Sequence, residues 1–411
     1  MKYVIIGNSA AAVGCVEGIR SVDASGKITV IGSEPHHTYS RPLISYLLLG
    51  RTDEQRIKYR PDQFYADNNV KALLGVTATA IDPANKRVVL DNGEEERYDR
   101  LLIATGSKPF VPPMAGLEDV PNRFTFMDLD SAKALEKALT PESRVLIVGA
   151  GLIGLKCAEG IQHSVKSITV VDLADRILPS ILDEAGSQMM QRYLEAKGLT
   201  FHLSDSVAQF EANNAHLKSG QDVPFDVLVV AVGVRPNVEL AKEAGIAANR
   251  GIVTDAFCKT TLHHVYAAGD CAESHDITTD SDRILALLPN AYMQGETAGV
   301  NMAGGHKLYD KAIPMNAIGF FGLHIVTAGS YDGEEFVEQT DTVYKKLVTK
   351  DGLLKGYILI GDIARAGIYT SLIRERTPLD TIDFAMLREK PQLMAFAPAA
   401  RHAKLAEGPA H

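Results

Sequence analysis

A chain of 411 residues, 46% hydrophobic and 23% charged, exceeds one ordinary core and predicts two to three packed domains. Its net charge of −9 argues against a nucleic-acid partner, and no run of about 18 apolar residues offers a membrane span. The four cysteines, Cys15, Cys157, Cys258 and Cys271, form no C-x-x-C pair and no zinc spacing, and read as small buried residues of an intracellular protein.

Lys2–Ile6 reads as a short apolar strand. The turn after it, Gly7-Asn8-Ser9-Ala10-Ala11-Ala12, follows the G-x-G-x-x-G/A template that seats a dinucleotide pyrophosphate at a helix N-terminus. Ser9 stands where the second glycine is usual; it is small, and its hydroxyl is a donor for phosphate. Ala12 meets the third, packing requirement. Gly7 and Gly14 interrupt this apolar N-terminus, and little positive charge precedes it, so it does not read as a secretory signal; the cytoplasm is the expected location. A strand at Ile28–Ile31 leads to Glu34, a carboxylate suited to the ribose hydroxyls of an adenosine rather than to a bare surface. Lys108–Pro113, with three prolines, reads as a linker.

Beyond the linker the chain repeats itself. Residues 146–161, LIVGAGLIGLKCAEGI, echo residues 4–19, VIIGNSAAAVGCVEGI. The strand Arg144–Val148 enters a full G-x-G-x-x-G, with Gly149, Gly151, Leu152, Ile153 and Gly154 as its cofactor-binding positions. The strand Ser167–Val171 then delivers Asp172, which suits the 2′-hydroxyl of NADH and repels the 2′-phosphate of NADPH; Arg176, four residues on, weakens that preference. Two such units imply two dinucleotides, and an enzyme that holds both passes electrons between them. Farther on, Ile325–Ala328, Val343–Thr349 and Tyr357–Ile360 read as strands and Ala364–Arg374 as the start of a helix.

Three further stretches carry a resemblance: Tyr39-Ser40-Arg41-Pro42-Leu43-Ile44-Ser45, Tyr98-Asp99-Arg100-Leu101-Leu102-Ile103-Ala104-Thr105-Gly106 and Val265-Tyr266-Ala267-Ala268-Gly269-Asp270. With the glycine turns, they resemble the FAD-dependent pyridine-nucleotide disulfide oxidoreductases of the glutathione-reductase fold, in their rubredoxin and ferredoxin reductase branch. The resemblance implies an α/β fold: two Rossmann-like dinucleotide-binding domains, for FAD and NAD, and a small C-terminal α+β domain. It places residues 1–112 and 240–315 in the FAD domain, 113–239 in the NAD(H) domain, 316–400 in an interface domain and 401–411 in a tail. FAD would be held by Gly7, Ser9, Ala10, Ala11, Glu34, Arg41, Pro42, Ala104, Thr105, Gly106 and Asp270. Val232 and Gly233, in VLVVAVGVRP, would close the NAD(H) domain near the nicotinamide.

Departures from the family are informative. Disulfide reductases of this fold carry C-x4-C, and peroxidase relatives one cysteine, in the stretch matching Arg41–Gly50, where this chain has none. A thiol relay is therefore not expected, and Cys271 is expected to pack rather than react. Ferredoxin reductases often have a lysine where this chain has Tyr46. Relatives often carry a glutamate where it has Lys156, which reads either as a helix-surface lysine or as a changed contact to NADH or a partner. His36-His37 and His263-His264 read as loop histidines. The segments Pro314–Ala317 and Gly361–Tyr369 resemble the flavin subunits of anaerobic complexes such as phenylglyoxylate dehydrogenase and tungsten aldehyde oxidoreductase. The resemblance implies an NAD(H) oxidoreductase with an external iron–sulfur electron-transfer partner, as the flavin subunit of a larger oxidoreductase complex of aldehyde or 2-oxoacid type, or as a freestanding rubredoxin or ferredoxin reductase. An NADH oxidase and a non-catalytic FAD- and NADH-sensing scaffold are the other readings.

Overall fold

The computed structural model describes residues 1–397; the expected tail at 401–411 lies outside them. The chain divides into two compact units. The first comprises Met1–Pro179, Gln191–His275 and Asp282–Asp310. The second comprises Ser180–Met190, Asp276–Ser281 and the described residues from Lys311 onward.

Two parallel five-stranded sheets organise the first unit. In one, the order is Val265–Ala267, Arg100–Ile103, Lys2–Ile6, Lys27–Gly32, Val70–Leu74. In the other it is Leu199–His202, Ser167–Val171, Arg144–Val148, Val227–Val230, Arg123–Phe124. Their strands are near-continuous apolar runs because parallel strands are covered on both faces: Val4, Ile5, Leu101 and Leu102 are buried in the first, Leu146, Ile147, Leu228 and Val229 in the second. In each sheet the strand before the glycine turn is central, and the chain reaches its two neighbours by opposite crossovers. That switch opens a crevice at the strands' carboxyl ends. The repeat extends further than the glycine turns, because each half also carries a three-stranded antiparallel meander. One is Ala78–Asp82, Arg87–Leu90, Glu95–Arg97 and the other Val207–Glu211, Asn214–Leu217, Asp222–Pro224.

The helix after the first turn, Ala10–Arg20, lies against Leu288–Met302 with almost no space between the backbones. A methyl at Gly295 would stand 1.9 Å from the Ala11 carbonyl oxygen. The expected linker is more than a linker. Ser107–Pro109 pairs antiparallel with Val234–Pro236, and the Arg235 guanidinium lies 4.3 Å from the Phe110 ring centre.

The second unit holds a five-stranded antiparallel sheet ordered Met315–Phe320, Leu323–Gly329, Leu353–Ile360, Tyr344–Lys350, Glu334–Gln339. Tyr357, Leu359, Tyr369 and Leu372 share its core, the latter two from the helix Ala366–Arg374. Within the same unit Asp183 accepts from the Tyr344 hydroxyl at 2.6 Å and the Lys346 ammonium at 3.0 Å. Among the described residues no helix is long and apolar enough to cross a membrane.

Candidate functional site

The first glycine turn forms one wall of a cleft of about 820 Å³, open to solvent, at the carboxyl end of the strand Lys2–Ile6. Gly7 holds φ +124°, and a Cβ there would meet the Ala104 carbonyl oxygen at 2.1 Å, so this position admits only glycine. Ser9 caps the following helix in an extended conformation with no side-chain cap bond, leaving the first-turn amides to a ligand. Ala10 and Ala11 continue the wall.

Most of the residues expected for FAD meet in this cleft: Gly7, Ser9, Ala10, Ala11, Glu34, Arg41, Ala104, Thr105, Gly106 and Asp270. Pro42 sits in the 3-10 turn Arg41–Leu43 and is not among the lining residues. Glu34 accepts from the Tyr39 hydroxyl at 2.6 Å and pairs with Arg41, whose guanidinium also reaches the Met127 carbonyl oxygen at 3.1 Å. Two donors occupy part of the carboxylate, and an ionised carboxylate has lone pairs for more. Thr105 donates to the Asn237 carbonyl at 2.8 Å, and the Asn237 amide returns a bond to the Thr105 carbonyl at 2.8 Å. The Ala-Thr-Gly turn is thereby clasped to the chain leaving Val234–Pro236.

Desolvation at the cleft wall pushes the Asp270 carboxyl above the usual carboxylate range, against the Ser107 hydroxyl at 3.2 Å and the Arg41 charge. Such a carboxyl gains from further donors, as ligand hydroxyls would supply. A second cleft shares Gly7, Ser33 and Thr105 with the first and continues along Val76–Thr79. Together they fit an elongated, hydroxyl-bearing diphosphate such as FAD.

The second turn repeats the plan. Gly149 holds φ +119°, with the Ala231 carbonyl oxygen 2.3 Å from a would-be Cβ. Gly151 caps the helix Leu152–Ile161 and faces open space where a Cβ would stand. Leu152 and Ile153 begin that helix, and Gly154 packs on the Gly149 carbonyl. Asp172 is engaged within the protein: one oxygen accepts from the Ala150 N–H at 2.6 Å and the other from the Ala174 N–H at 2.7 Å. Leu173 beside it is 73% exposed. Arg176 is turned to Asp175 at 2.9 Å. Val232 and Gly233 form the loop between Val227–Val230 and Val234–Pro236, with Val232 exposed and the Gly233 carbonyl accepting from the Phe110 N–H at 2.9 Å. The turn amides, the open space over Gly151 and the carboxylate fit a second dinucleotide.

One of the two readings of Lys156 fails. Lys156 is not a surface lysine: its side chain is 15% exposed, it pairs with Glu159, 2% exposed, and its ammonium lies 4.3 Å from the Tyr46 ring centre. The loop histidines are loop residues, but His36 and His37 also line the first cleft with Asn8. Asn8 donates to the His36 carbonyl at 3.1 Å and accepts from the Tyr65 hydroxyl at 2.7 Å. Asn8 lies inside the glycine motif at a position the motif leaves unspecified, and Asn237 follows an expected loop; position was the only signal for either. All four cysteines are free and buried, with burial pushing each thiol's pKa up.

Comparison with known proteins agrees with this geometry. The sequence model for pyridine nucleotide-disulphide oxidoreductases matches residues 1–295, and that for the rubredoxin NAD+ reductase C-terminal domain matches residues 314–377. The epsilon subunit of NADH-dependent phenylglyoxylate dehydrogenase from Aromatoleum evansii is 31% identical over 391 residues, 92% of this chain and 92% of that one. Nitrite reductase (NAD(P)H) from Bacillus subtilis is 30% identical over 92% of this chain, which spans about half of that longer protein, 48%. In fold, the chain matches the crystal structure of the covalent putidaredoxin reductase–putidaredoxin complex with a TM-score of 0.86 at 23% identity, covering 100% of this chain and 99% of that one. The chain therefore belongs to the pyridine nucleotide-disulphide oxidoreductase family, whose members bind FAD and NAD(H), and within it is an FAD-dependent NAD(H) oxidoreductase without a redox-active disulfide.

Proposed function

We propose that the chain passes electrons between NAD(H) and an external iron–sulfur carrier, with FAD in the first cleft and NAD(H) on the second turn. FAD, when bound, supplies a centre that exchanges two electrons as hydride with nicotinamide and single electrons with a metal cluster. The protein's part is to hold and orient. Gly7, Ser9, Ala10 and Ala11 would present the helix amides to the FAD diphosphate; Glu34 would accept from the adenosine ribose hydroxyls; Arg41 and Pro42 would lie by the flavin or its diphosphate; Ala104, Thr105 and Gly106 would pass near FAD; Asp270 would accept from its ribityl hydroxyls. Gly149, Gly151, Leu152, Ile153 and Gly154 do the same for the NAD(H) diphosphate, with Asp172 toward the ribose and Val232 and Gly233 near the nicotinamide. Such chemistry depends on stacking and orientation more than on an acid or base.

The observation that carries this reading is the pair of glycine turns at equivalent places in two parallel sheets, in a chain whose every thiol is buried. Electrons delivered by NADH then have no thiol relay to leave by. The matched rubredoxin NAD+ reductase C-terminal domain favours a one-electron carrier as their acceptor. The finer proposal is a flavin subunit of a larger complex of aldehyde or 2-oxoacid type in the cytoplasm, supported by end-to-end likeness to the phenylglyoxylate dehydrogenase epsilon subunit. A freestanding rubredoxin or ferredoxin reductase is the second reading, favoured by the C-terminal match.

The test is anaerobic titration of the purified protein with NADH and, in parallel, NADPH, following flavin absorbance. Near-stoichiometric bleaching by NADH, slower by NADPH, supports the reading; bound flavin that NADH never bleaches refutes it. Purification from its native source then separates the versions: co-purifying iron–sulfur subunits favour the complex, and a lone chain that reduces rubredoxin favours the freestanding reductase.

A further inference from the structure

Within the first unit the two glycine-turn halves meet along a helix seam. The helix Ile44–Leu48, which follows Arg41 of the first cleft, lies on the helix Leu152–Ile161, which leaves the second turn. The approach is close: a Cβ at Gly160 would stand 3.1 Å from the Ser45 carbonyl oxygen and 3.4 Å from Leu48 Cβ. Charge is placed in this seam. Lys156 is bonded to Glu159 one turn along its own helix, and its ammonium sits 4.3 Å from the centre of the Tyr46 ring across the seam.

Adhesion alone does not explain such a pair. Taking two charges from water is costly, and well-packed apolar side chains of similar size would join two helices at least as well. What the charges add is direction. Glu159 fixes the ammonium along one helix, and the face of Tyr46 offers it one favoured seat on the other. Lys156 acts as a peg, anchored in the half that carries Gly149–Gly154 and seated in the half that carries Gly7–Ala11. Tyr46 is five residues from Arg41 and Lys156 two from Gly154, so slippage at the peg moves both ligand walls against each other.

We propose that Lys156 is a positioning residue that sets the register of the NAD(H)-binding half on the FAD-binding half, governing how fast NADH reduces the flavin rather than how tightly either nucleotide binds. The proposal rests on the functional reading above. The nucleotide contacts proposed above fall on the turns and carboxylates, so loss of the peg is expected to spare binding and cost alignment; a misplacement of about 1 Å costs on the order of 100-fold in rate.

The test uses the full-length flavin-loaded protein and the variants Lys156→Met, Lys156→Arg, Tyr46→Leu and Tyr46→Phe. It reads flavin content, the NADH dissociation constant, the anaerobic stopped-flow bleaching rate, and hydrogen exchange of the Ile44–Leu48 amides. Lys156→Met is expected to keep its flavin and its NADH affinity, to bleach about tenfold or more slowly, and to exchange faster at Ile44–Leu48. Lys156→Arg, whose planar cation stacks on aromatic faces, restores both. Tyr46→Leu follows Lys156→Met, and Tyr46→Phe, which keeps the ring face, follows the wild type. Lys156→Met with wild-type bleaching and exchange overturns the role. If that variant fails to fold, equal bleaching rates in Tyr46→Leu and Tyr46→Phe overturn it. A wild-type flavin that NADH never bleaches overturns the functional reading and this role together, whereas normal wild-type bleaching with unaffected variants overturns the role alone.

Discussion

Removing the Asp172 side chain should weaken NADH and NADPH together, because this carboxylate holds the turn as well as serving, in the function proposed above, the ribose. Its two oxygens accept from the Ala150 N–H at 2.6 Å and the Ala174 N–H at 2.7 Å. A hydrogen bond to a charged acceptor contributes about 1.5–3 kcal/mol when its donor would otherwise be buried. The amides freed by Asp172→Ala regain some water, so the net loss is about 1–2 kcal/mol, or roughly five- to thirtyfold in affinity for any nucleotide on this turn. Asp172→Asn is the control. It keeps one oxygen for an amide while removing the negative charge that repels a 2′-phosphate. Equilibrium titration of the oxidised holoprotein with each coenzyme, followed by fluorescence, reads both effects. The expected pattern is a joint loss of about tenfold in Asp172→Ala and a narrowed NADH-over-NADPH ratio in Asp172→Asn. If Asp172→Ala gained NADPH affinity while NADH affinity stayed at the wild-type value, the carboxylate would act through charge alone and the turn would not depend on it.

Three further outcomes are expected. Gly7→Ala puts a methyl 2.1 Å from the Ala104 carbonyl oxygen at φ +124°, a cost above about 3 kcal/mol, so the variant should purify without flavin or unfold; a full flavin complement by absorbance would contradict this. Maleimide should leave flavin reduction by NADH intact, since all four thiols are buried, and mass spectrometry should show labelling only after unfolding; rapid native labelling with loss of reduction would restore the thiol relay. The Arg144 guanidinium and N–H beside Asp226 hold its carboxyl at about 2, below an unfolded value near 3.9. A depressed folded pKa stabilises above the unfolded pKa and ceases to do so as pH falls through the folded one. Asp226→Asn should therefore be less stable than the wild type at about pH 5, modestly because the pair is partly exposed, with the gap closing toward about pH 2; a gap that stays constant in denaturant melts across that range would contradict the assignment.

Much of the nucleotide-binding core is legible in the sequence because its signals are local. Lys2–Ile6, Arg144–Val148 and Ser167–Val171 appear with the bounds read from the chain, since strands covered on both faces are continuous apolar runs, the first two ended by a glycine turn and the third by Asp172. What escapes depends on partners remote in sequence. Lys108–Pro113 reads as a linker because its three prolines mask the strand Ser107–Pro109 that it overlaps, and the pairing partner, Val234–Pro236, lies in the other half. The meanders escape because strands such as Glu95–Arg97 and Asp222–Pro224 are short and polar, with no alternating apolar face. The surface reading of Lys156 rests on lysine's usual exposure. Its contact with Tyr46 comes from another helix, which no window around Lys156 contains. Asn237 likewise becomes a clasp only once the ribbon brings it to Thr105.

The two turns share a plan and differ in what surrounds them, and that difference bears on the division of labour. Around Gly7–Ala11 the chain returns five times, at Gly32–Arg41, Ala104–Ser107, Met127, Ala268–Asp270 and Ala291, so a ligand there is walled by segments from six parts of the sequence. Its acidic residue lines the cleft, bridged to Tyr39 and Arg41 rather than to a turn amide. At the second turn the acidic residue is spent partly on the turn itself, through the Ala150 N–H, while Leu173 stands 73% exposed and the space over Gly151 is open. A dinucleotide walled on several sides dissociates slowly, because release requires several contacts to break at once; one resting against a pre-held turn with an open face exchanges readily. Those are the opposite demands of a resident prosthetic group and of a coenzyme that must leave after each hydride. One motif, with Ser9 and Ala12 standing where the second turn has Gly151 and Gly154, thus meets both demands through the loops returned to it.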